Sequence, residues 1–286
     1  MALTNGIILG IMAMLIWGTS DFFAAKASRS AGVFKTVFWS QLISIAIYLL
    51  AYPFLGKTQF IREASAIMIL IAGFLSISAY FSFYKGLEIG KVSVISPIVA
   101  CCAGVTVILS LVFLNETLSA FQAIGVSFAI LGAILTSLKH RDIRNFRPKN
   151  SEAGIKYALF TMLATGIIFV LIDVLVSELG WFMPMFLIRA AAVFCLLIYT
   201  ISAKKDITFP KNSTSLLIIV GVLEVAGILI YGAAITTEYT AIVAPIGAAF
   251  PVITIILARI FLKETLAANQ KIGIISVLAG LVLLSI

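Results

Sequence analysis

Long apolar runs recur along the chain, each about one bilayer thick, with short polar joints between them. A helix needs about 20 apolar residues to cross the hydrocarbon core. Ten stretches approach that length, at 5–25, 33–54, 64–84, 92–113, 118–138, 155–177, 181–201, 214–236, 240–262 and 267–286. The longest joint, 139–153, lies in the middle. It carries Lys139, Arg141, Arg144, Arg147 and Lys149, with Pro148 to halt a helix. Met1 to Asn5 has no basic region, so the first run reads as a membrane span and not as a cleaved signal. The pattern predicts an all-α polytopic membrane protein of ten helices.

Composition agrees and removes the alternatives. Apolar residues make up 62% of the 286, and the charged ones are 20 Lys or Arg and 12 Asp or Glu, 11% in all. A soluble domain is about 25% charged, and this chain has too few polar side chains to coat a water-facing surface. A disordered chain and a secreted disulfide scaffold are excluded as well. The net charge of +8 comes with no basic, aromatic-interleaved stripe, so nucleic acid is not a partner. It fits loops that face anionic lipid. Cys101, Cys102 and Cys195 fall inside spans and read as packing residues, and His140 is the single histidine. No metal-ligand spacing, nucleotide fingerprint or nucleophile motif occurs. Neither metal nor cofactor is expected, and the chain is not read as an enzyme.

Sliding the chain against itself by 148 residues exposes a duplication. From Pro97 to Ser137, 18 of 41 positions are then identical. Glu116-Thr117-Leu118 falls on Glu264-Thr265-Leu266, and Gln122, Gly125 and Gly132 fall on Gln270, Gly273 and Gly280. Gly6 and Gly18 fall on Gly154 and Gly166. The organisation read from this is a first repeat at 1–138, a basic connecting loop at 139–153 and a second repeat at 154–286. Five helices per repeat is an odd number, so the second repeat enters from the opposite side and the repeats are inverted. Lys and Arg concentrate in the odd-numbered loops, which places loop 139–153 in the cytoplasm and both termini outside.

Helix breakers and buried charges supply the candidate chemistry. Pro97 and Pro245 sit at matching places in spans 4 and 9, and Pro251 adds a second break in span 9. All three are read as helix-break or gating positions. Glu116 and Glu264 precede spans 5 and 10 and read as structural joints at the amides of those helices, with Thr117 and Thr265 helping to cap them. Gly125, Gly132, Gly273 and Gly280 allow close helix contact. Glu224 lies near the centre of span 8 and Arg189 near the middle of span 7. A charge at such depth costs about 2.5–3.5 kcal/mol on insertion scales, so each needs a partner, a ligand or water. The two can pair as a static bridge, or Glu224 can exchange a proton during transport. Asp21 and Asp173 fall one turn apart in equivalent helices, at opposite ends of one pathway. Trp17, Tyr80, Tyr84 and Tyr231 are the aromatic wall candidates.

Leu15-Ile16-Trp17-Gly18-Thr19-Ser20, Leu111-Val112-Phe113-Leu114-Asn115-Glu116-Thr117-Leu118 and Pro251 through Ile260-Phe261-Leu262-Lys263-Glu264-Thr265-Leu266 resemble the drug/metabolite transporter superfamily, in its ten-helix EamA-type members. The resemblance implies a secondary carrier with a central cavity formed by helices 1, 3, 4, 6, 8 and 9. That cavity would expose Trp17, Asp21, Tyr80, Tyr84, Pro97, Asp173, Glu224, Tyr231 and Pro251. Asn115 and Lys263 depart from the family's glycine before the glutamate, and Ala103 stands where a proline would match Pro251. Gln41 replaces an arginine common in helix 2, while Arg189 keeps a charge at the paired position. The resemblance also implies cytoplasmic termini, against the loop charges.

The leading reading is an alternating-access exporter of a small metabolite, amino acid or drug-like solute in the cell membrane. H+ or Na+ is the expected coupling ion, membrane lipids are the surroundings, and a homodimer stays open. Two alternatives remain at this point, a lipid or lipid-linked sugar flippase and a non-transporting membrane scaffold or sensor.

Overall fold

The computed structural model describes residues 4–57, 60–89, 98–137, 148–262 and 267–284. Pro97, Glu264 and most of the basic central loop lie outside the described residues. Among these residues eleven α-helices follow in order: α1 Asn5–Ala31, α2 Val33–Leu55, α3 Glu63–Ile89, α4 Cys102–Phe113, α5 Ala120–Ser137, α6 Pro148–Leu179, α7 Met183–Ser202, α8 Thr214–Ala234, α9 Thr240–Ala248, α10 Pro251–Leu262 and α11 Ala268–Leu284. Helices α9 and α10 together form the ninth span. Among the described residues six helices are long and apolar enough to cross a membrane, and four shorter apolar ones complete the ten. The chain is an all-α, ten-span membrane protein built from two five-helix repeats.

The repeats interleave, and the offset of 148 residues predicts which helices meet. The most extensive packing outside the self-matched pairs is α1 on α8 and its counterpart α6 on α3. Next come α2 on α8 with its counterpart α7 on α3, and α1 on α9 with its counterpart α6 on α4. Each repeat therefore lacks a core of its own and completes it with helices of the other. Between α5 and α11, Gly125 faces Gly280 and Gly132 faces Gly273, backbone against backbone. Small residues let membrane helices approach this closely, and packing replaces the hydrophobic drive that lipid cancels.

Spans 4 and 9 break at equivalent residues. Cys101 and Ala249, 148 apart, each sit in a turn with near-zero ψ, at −5° and 6°. Pro251 follows the break in span 9 and cannot donate to Gly247, but Ala103 holds the same place in span 4 without preventing the break. Proline thus accompanies the interruption and does not create it. Helix α9 runs through Pro245 without interruption, so the expected break there is moved to Ala249–Phe250, where the amides of Ala249 and Phe250 make tighter three-residue hydrogen bonds.

Each break is pinned to the other repeat. Thr106 Oγ1 donates to Gly166 O at 3.4 Å, and Thr254 Oγ1 donates to Gly18 O at 2.9 Å. A Cβ on Gly166 would meet Val105 at 2.6 Å, and one on Gly18 would meet Ile253 at 2.5 Å. The matched glycines Gly18 and Gly166 are therefore the landing points of the two broken helices.

The joints before spans 5 and 10 differ from expectation. Gln122 Oε1 accepts the Ser119 amide at 2.9 Å while Ser119 Oγ accepts the Gln122 amide at 3.2 Å, a reciprocal capping box. In the second repeat Gln270 Oε1 accepts the Ala267 amide at 3.0 Å, and alanine leaves out the other arm. Glu116 caps neither of these helices. Asn115 takes a positive φ of 55°, which asparagine and glycine tolerate best. Glu116 follows that turn and crosses to the N-terminus of α9. Its two oxygens accept the Thr240 and Ala241 amides at 2.8 Å each.

Candidate functional site

A cavity of about 220 Å³ opens where the two repeats meet. Spans 1, 3, 4, 6, 8 and 9 contribute to it, as the family resemblance implies, and so do α2 through Tyr48 and α7 through Met185, Ile188 and Arg189. Most of its wall is apolar. The charged groups gather on one side of it.

Glu224 is the hub. Tyr80 Oη donates to Glu224 Oε2 at 2.6 Å, and Ser20 Oγ donates to Oε1 at 3.4 Å. Tyr80 also shares a hydrogen bond with Arg189, whose guanidinium donates to Gln41 Oε1. Gln41 and Arg189 are themselves 148 residues apart, so this contact lies on the axis relating the repeats. Glu224 and Arg189 consequently do not form the direct ion pair that their depth suggested; the Tyr80 phenol stands between them. Asp21 faces the cavity beside Glu224. The site therefore holds two carboxylates and one guanidinium.

Trp17 forms the end wall. Its indole stacks on Phe169 at 6.0 Å and tilts against Tyr231 at 5.6 Å, and Phe169 stacks on Tyr231 at 4.8 Å. The indole fits a slot cut by two glycines. A Cβ on Gly227 would lie 2.5 Å from Trp17 Nε1, and one on Gly247 would lie 2.9 Å from its benzo edge. The Trp17-Gly18-Thr19-Ser20 run thus places a wall, a landing point for α10 and a partner for Glu224 within one helical turn.

Of the candidate residues, Trp17, Asp21, Tyr80, Arg189 and Glu224 line the cavity. Tyr231 is fully buried behind Trp17 and Phe169. Asp173 stands outside the cavity, near Thr240, Tyr231 and Glu116. Pro245 and Pro251 are buried in span 9 and do not line the wall. Tyr84 belongs to α3, with its side chain outside the described ones. Sequence reasoning missed Tyr48, a buried tyrosine whose hydroxyl has no protein partner among the described residues and which faces the cavity. It also missed Gln41 as the anchor of Arg189. The available signal was its place, 148 residues from a buried arginine.

Known proteins carry the same organisation. The model of the EamA-like transporter family matches residues 4–138 and again 152–286. An uncharacterized transporter of Archaeoglobus fulgidus is 23% identical over 285 residues, covering 97% of each chain. An uncharacterized protein of Methanocaldococcus jannaschii is 30% identical over 142 residues, which is 48% of this chain and 98% of that one. A relative one repeat long is consistent with duplication of a five-helix unit. A solved crystal structure superimposes with a TM-score of 0.83 at 12% identity, covering 99% of this chain and 96% of its own, and so shares the fold. The chain belongs to the EamA-like transporter family, as a multi-pass membrane protein with the fold of a secondary transporter.

Proposed function

We propose that the chain is an alternating-access exporter of a small amphipathic solute bearing an amine. The observation that carries this reading is the composition of the cavity between the repeats. Largely apolar walls face the charged groups Glu224, Asp21 and Arg189, with Tyr80 between Glu224 and Arg189. Arg189 is occupied by Gln41 and Tyr80, which leaves the carboxylates to attract a cation. A solute of amino-acid size fits a cavity of about 220 Å³.

Inverted repeats that share their cores give two arrangements of nearly equal energy, one open to each side. The paired breaks at Cys101 and Ala249, each hinged on a glycine of the other repeat, let one half of a span tilt while the other stays packed. We place the face bearing Lys35, Lys204, Lys205 and Lys211 in the cytoplasm on the positive-inside rule. A cysteine at Thr208 should then react with impermeant reagent only after the cells are opened, and reaction in intact cells would reverse the assignment.

The test of function is counterflow in proteoliposomes with matched panels of organic amines and organic acids. Amines should exchange and compete with one another. Exchange of acids with no response to amines would overturn the substrate class.

A further inference from the structure

Asp173 lies one turn beyond Phe169, toward the face opposite the basic loops, and oxygen-bearing side chains from spans 8 and 9 and from the joint between spans 4 and 5 meet around it. Its carboxylate interacts with Thr240 at the start of α9, and the phenol of Tyr231, near the end of α8, interacts with both. Glu116 closes the group; its oxygens hold the Thr240 and Ala241 amides at 2.8 Å, and its charge acts on Asp173 and Tyr231. Thr240 and Tyr231 are both 0% exposed. Neither Thr240 Oγ1 nor Tyr231 Oη makes a well-formed hydrogen bond among the described residues. Two buried hydroxyls thus stand beside one carboxylate, close enough to interact and without a well-formed hydrogen bond to it or to each other. Burial without a partner is costly for such groups.

The charges are also unequal. The first amides of α9 and the positive end of its dipole compensate Glu116. Asp173 has no such support, and the ion pairs among the described residues lie elsewhere, at Lys35–Asp206 and Arg62–Glu178. One uncompensated negative charge ringed by hydroxyl and carboxylate oxygens suits a single hard monovalent cation. With Glu116 already compensated by the amides of α9, the remaining charge matches one positive charge and not the two of calcium, and the softer metals prefer nitrogen or sulfur.

Duplication supplies a control that nature has built into the chain. Moving back 148 residues turns Asp173 into Ala25, Tyr231 into Phe83 and Thr240 into Val92, while Glu116 corresponds to Glu264. The glutamate is therefore common to both junctions, as an architectural cap would be. The other three oxygen-bearing side chains occur in the second repeat alone, at positions where the first repeat uses apolar side chains.

We propose that Asp173, Thr240, Tyr231 and the free lone pairs of Glu116 form a site for one sodium ion. Its consequence for transport rests on the carrier reading above. The ring of Tyr231 packs on Phe169 and Trp17, which line the cavity, so an ion on its hydroxyl fixes the aromatic wall closed toward that face.

The test is equilibrium binding of radioactive sodium to the purified full-length protein in detergent, against potassium and choline at constant ionic strength. Saturable binding selective for sodium is expected. Asp173→Asn, and independently Thr240→Val and Tyr231→Phe, should each weaken it by about tenfold or more, while Asp206→Asn, on the opposite face, leaves it unchanged. Gel filtration of each variant checks the fold, and the Thr240 and Tyr231 variants keep the test informative if the aspartate variant does not fold. Absence of selective sodium binding, or binding indifferent to all three substitutions, overturns the site. Binding measured in detergent needs no flux: sodium binding without any transport would sink the carrier reading alone, and amine exchange without sodium binding would sink the site alone.

Discussion

Replacing Gly132 by alanine puts a methyl carbon 2.7 Å from Gly273 O and 2.7 Å from the Val277 amide nitrogen, both backbone atoms of α11. Ordinary contact begins at 3.4 Å, so α5 and α11 must part locally by about 0.7 Å, the difference between those two distances. No side-chain rotation can relieve a clash with backbone. Overpacking of this kind costs about 1–3 kcal/mol. Alanine returns about 1 kcal/mol through helix propensity, so the net change is a loss of at most about 2 kcal/mol. Gly104 supplies the control, because it is also helical and a Cβ there meets nothing within 4 Å. Gly104→Ala should therefore gain about 1 kcal/mol from propensity alone. The two variants are compared by denaturant unfolding of the detergent-solubilised protein, where propensity cancels and the difference isolates the helix contact. Equal stabilities for the two would refute the claim that the glycine seam holds the repeats together.

Gly227→Ala should push Trp17 out of its slot, shift its fluorescence and weaken solute binding, with little change in unfolding; an unaltered emission spectrum would contradict the slot. Glu116→Gln keeps the shape of the α9 cap but loses its charge and one of its two acceptors, and Glu116→Ala loses both hydrogen bonds. Since hydrogen bonds to a charged group are worth about 1.5–3 kcal/mol, stability should fall in the order wild type, glutamine, alanine, and glutamine matching wild type would argue against a charge-assisted cap. Asp206 sits in the loop between α7 and α8. Its carboxyl is held down at about 2 by hydrogen bonds from Lys35 and from the Thr208 amide and hydroxyl, so its stabilising effect is complete above the ordinary carboxyl range and fades as pH falls from about 4 toward 2. The neighbouring edge-on contact of Trp39 with Phe209 gives a fluorescence reading of that loop. It should be flat from pH 8 to pH 5, and Asp206→Asn should remove the acid transition.

Much of the architecture was legible in the sequence because duplication writes contacts as a constant offset. Gln41 with Arg189 and Phe128 with Ser276, the latter joined through Ser276 Oγ to Phe128 O at 2.9 Å, are residues 148 apart that touch across the axis. Ser30 with Ser213 and Glu178 with Ser65 are the same contact made twice, at 2.7 and 2.5 Å. Burial was not legible. Phe54, Phe60 and Leu50 are among the most exposed side chains, since lipid welcomes the same residues as the core and hydrophobic periodicity fades. The site was half legible. A carboxylate and a guanidinium inside apolar helices announce themselves by their cost. Tyr80 as the bridge between them did not, because a phenol is at home in lipid, at an interface or in a core. The placement of Glu116 failed for a local reason. The left-handed turn at Asn115 sends it across the repeat boundary, and the backbone conformation of one residue cannot be read from apolar spacing.

Glu224 joins Tyr80 and Ser20 at the cavity and is the carboxylate on which recognition of the amine depends. Counterflow of a substrate amine in proteoliposomes, wild type against Glu224→Gln, measures this most directly. The glutamine variant is expected to fold and unfold as the wild type does and to fail to exchange the amine. Exchange at the wild-type rate by a correctly folded Glu224→Gln would contradict it.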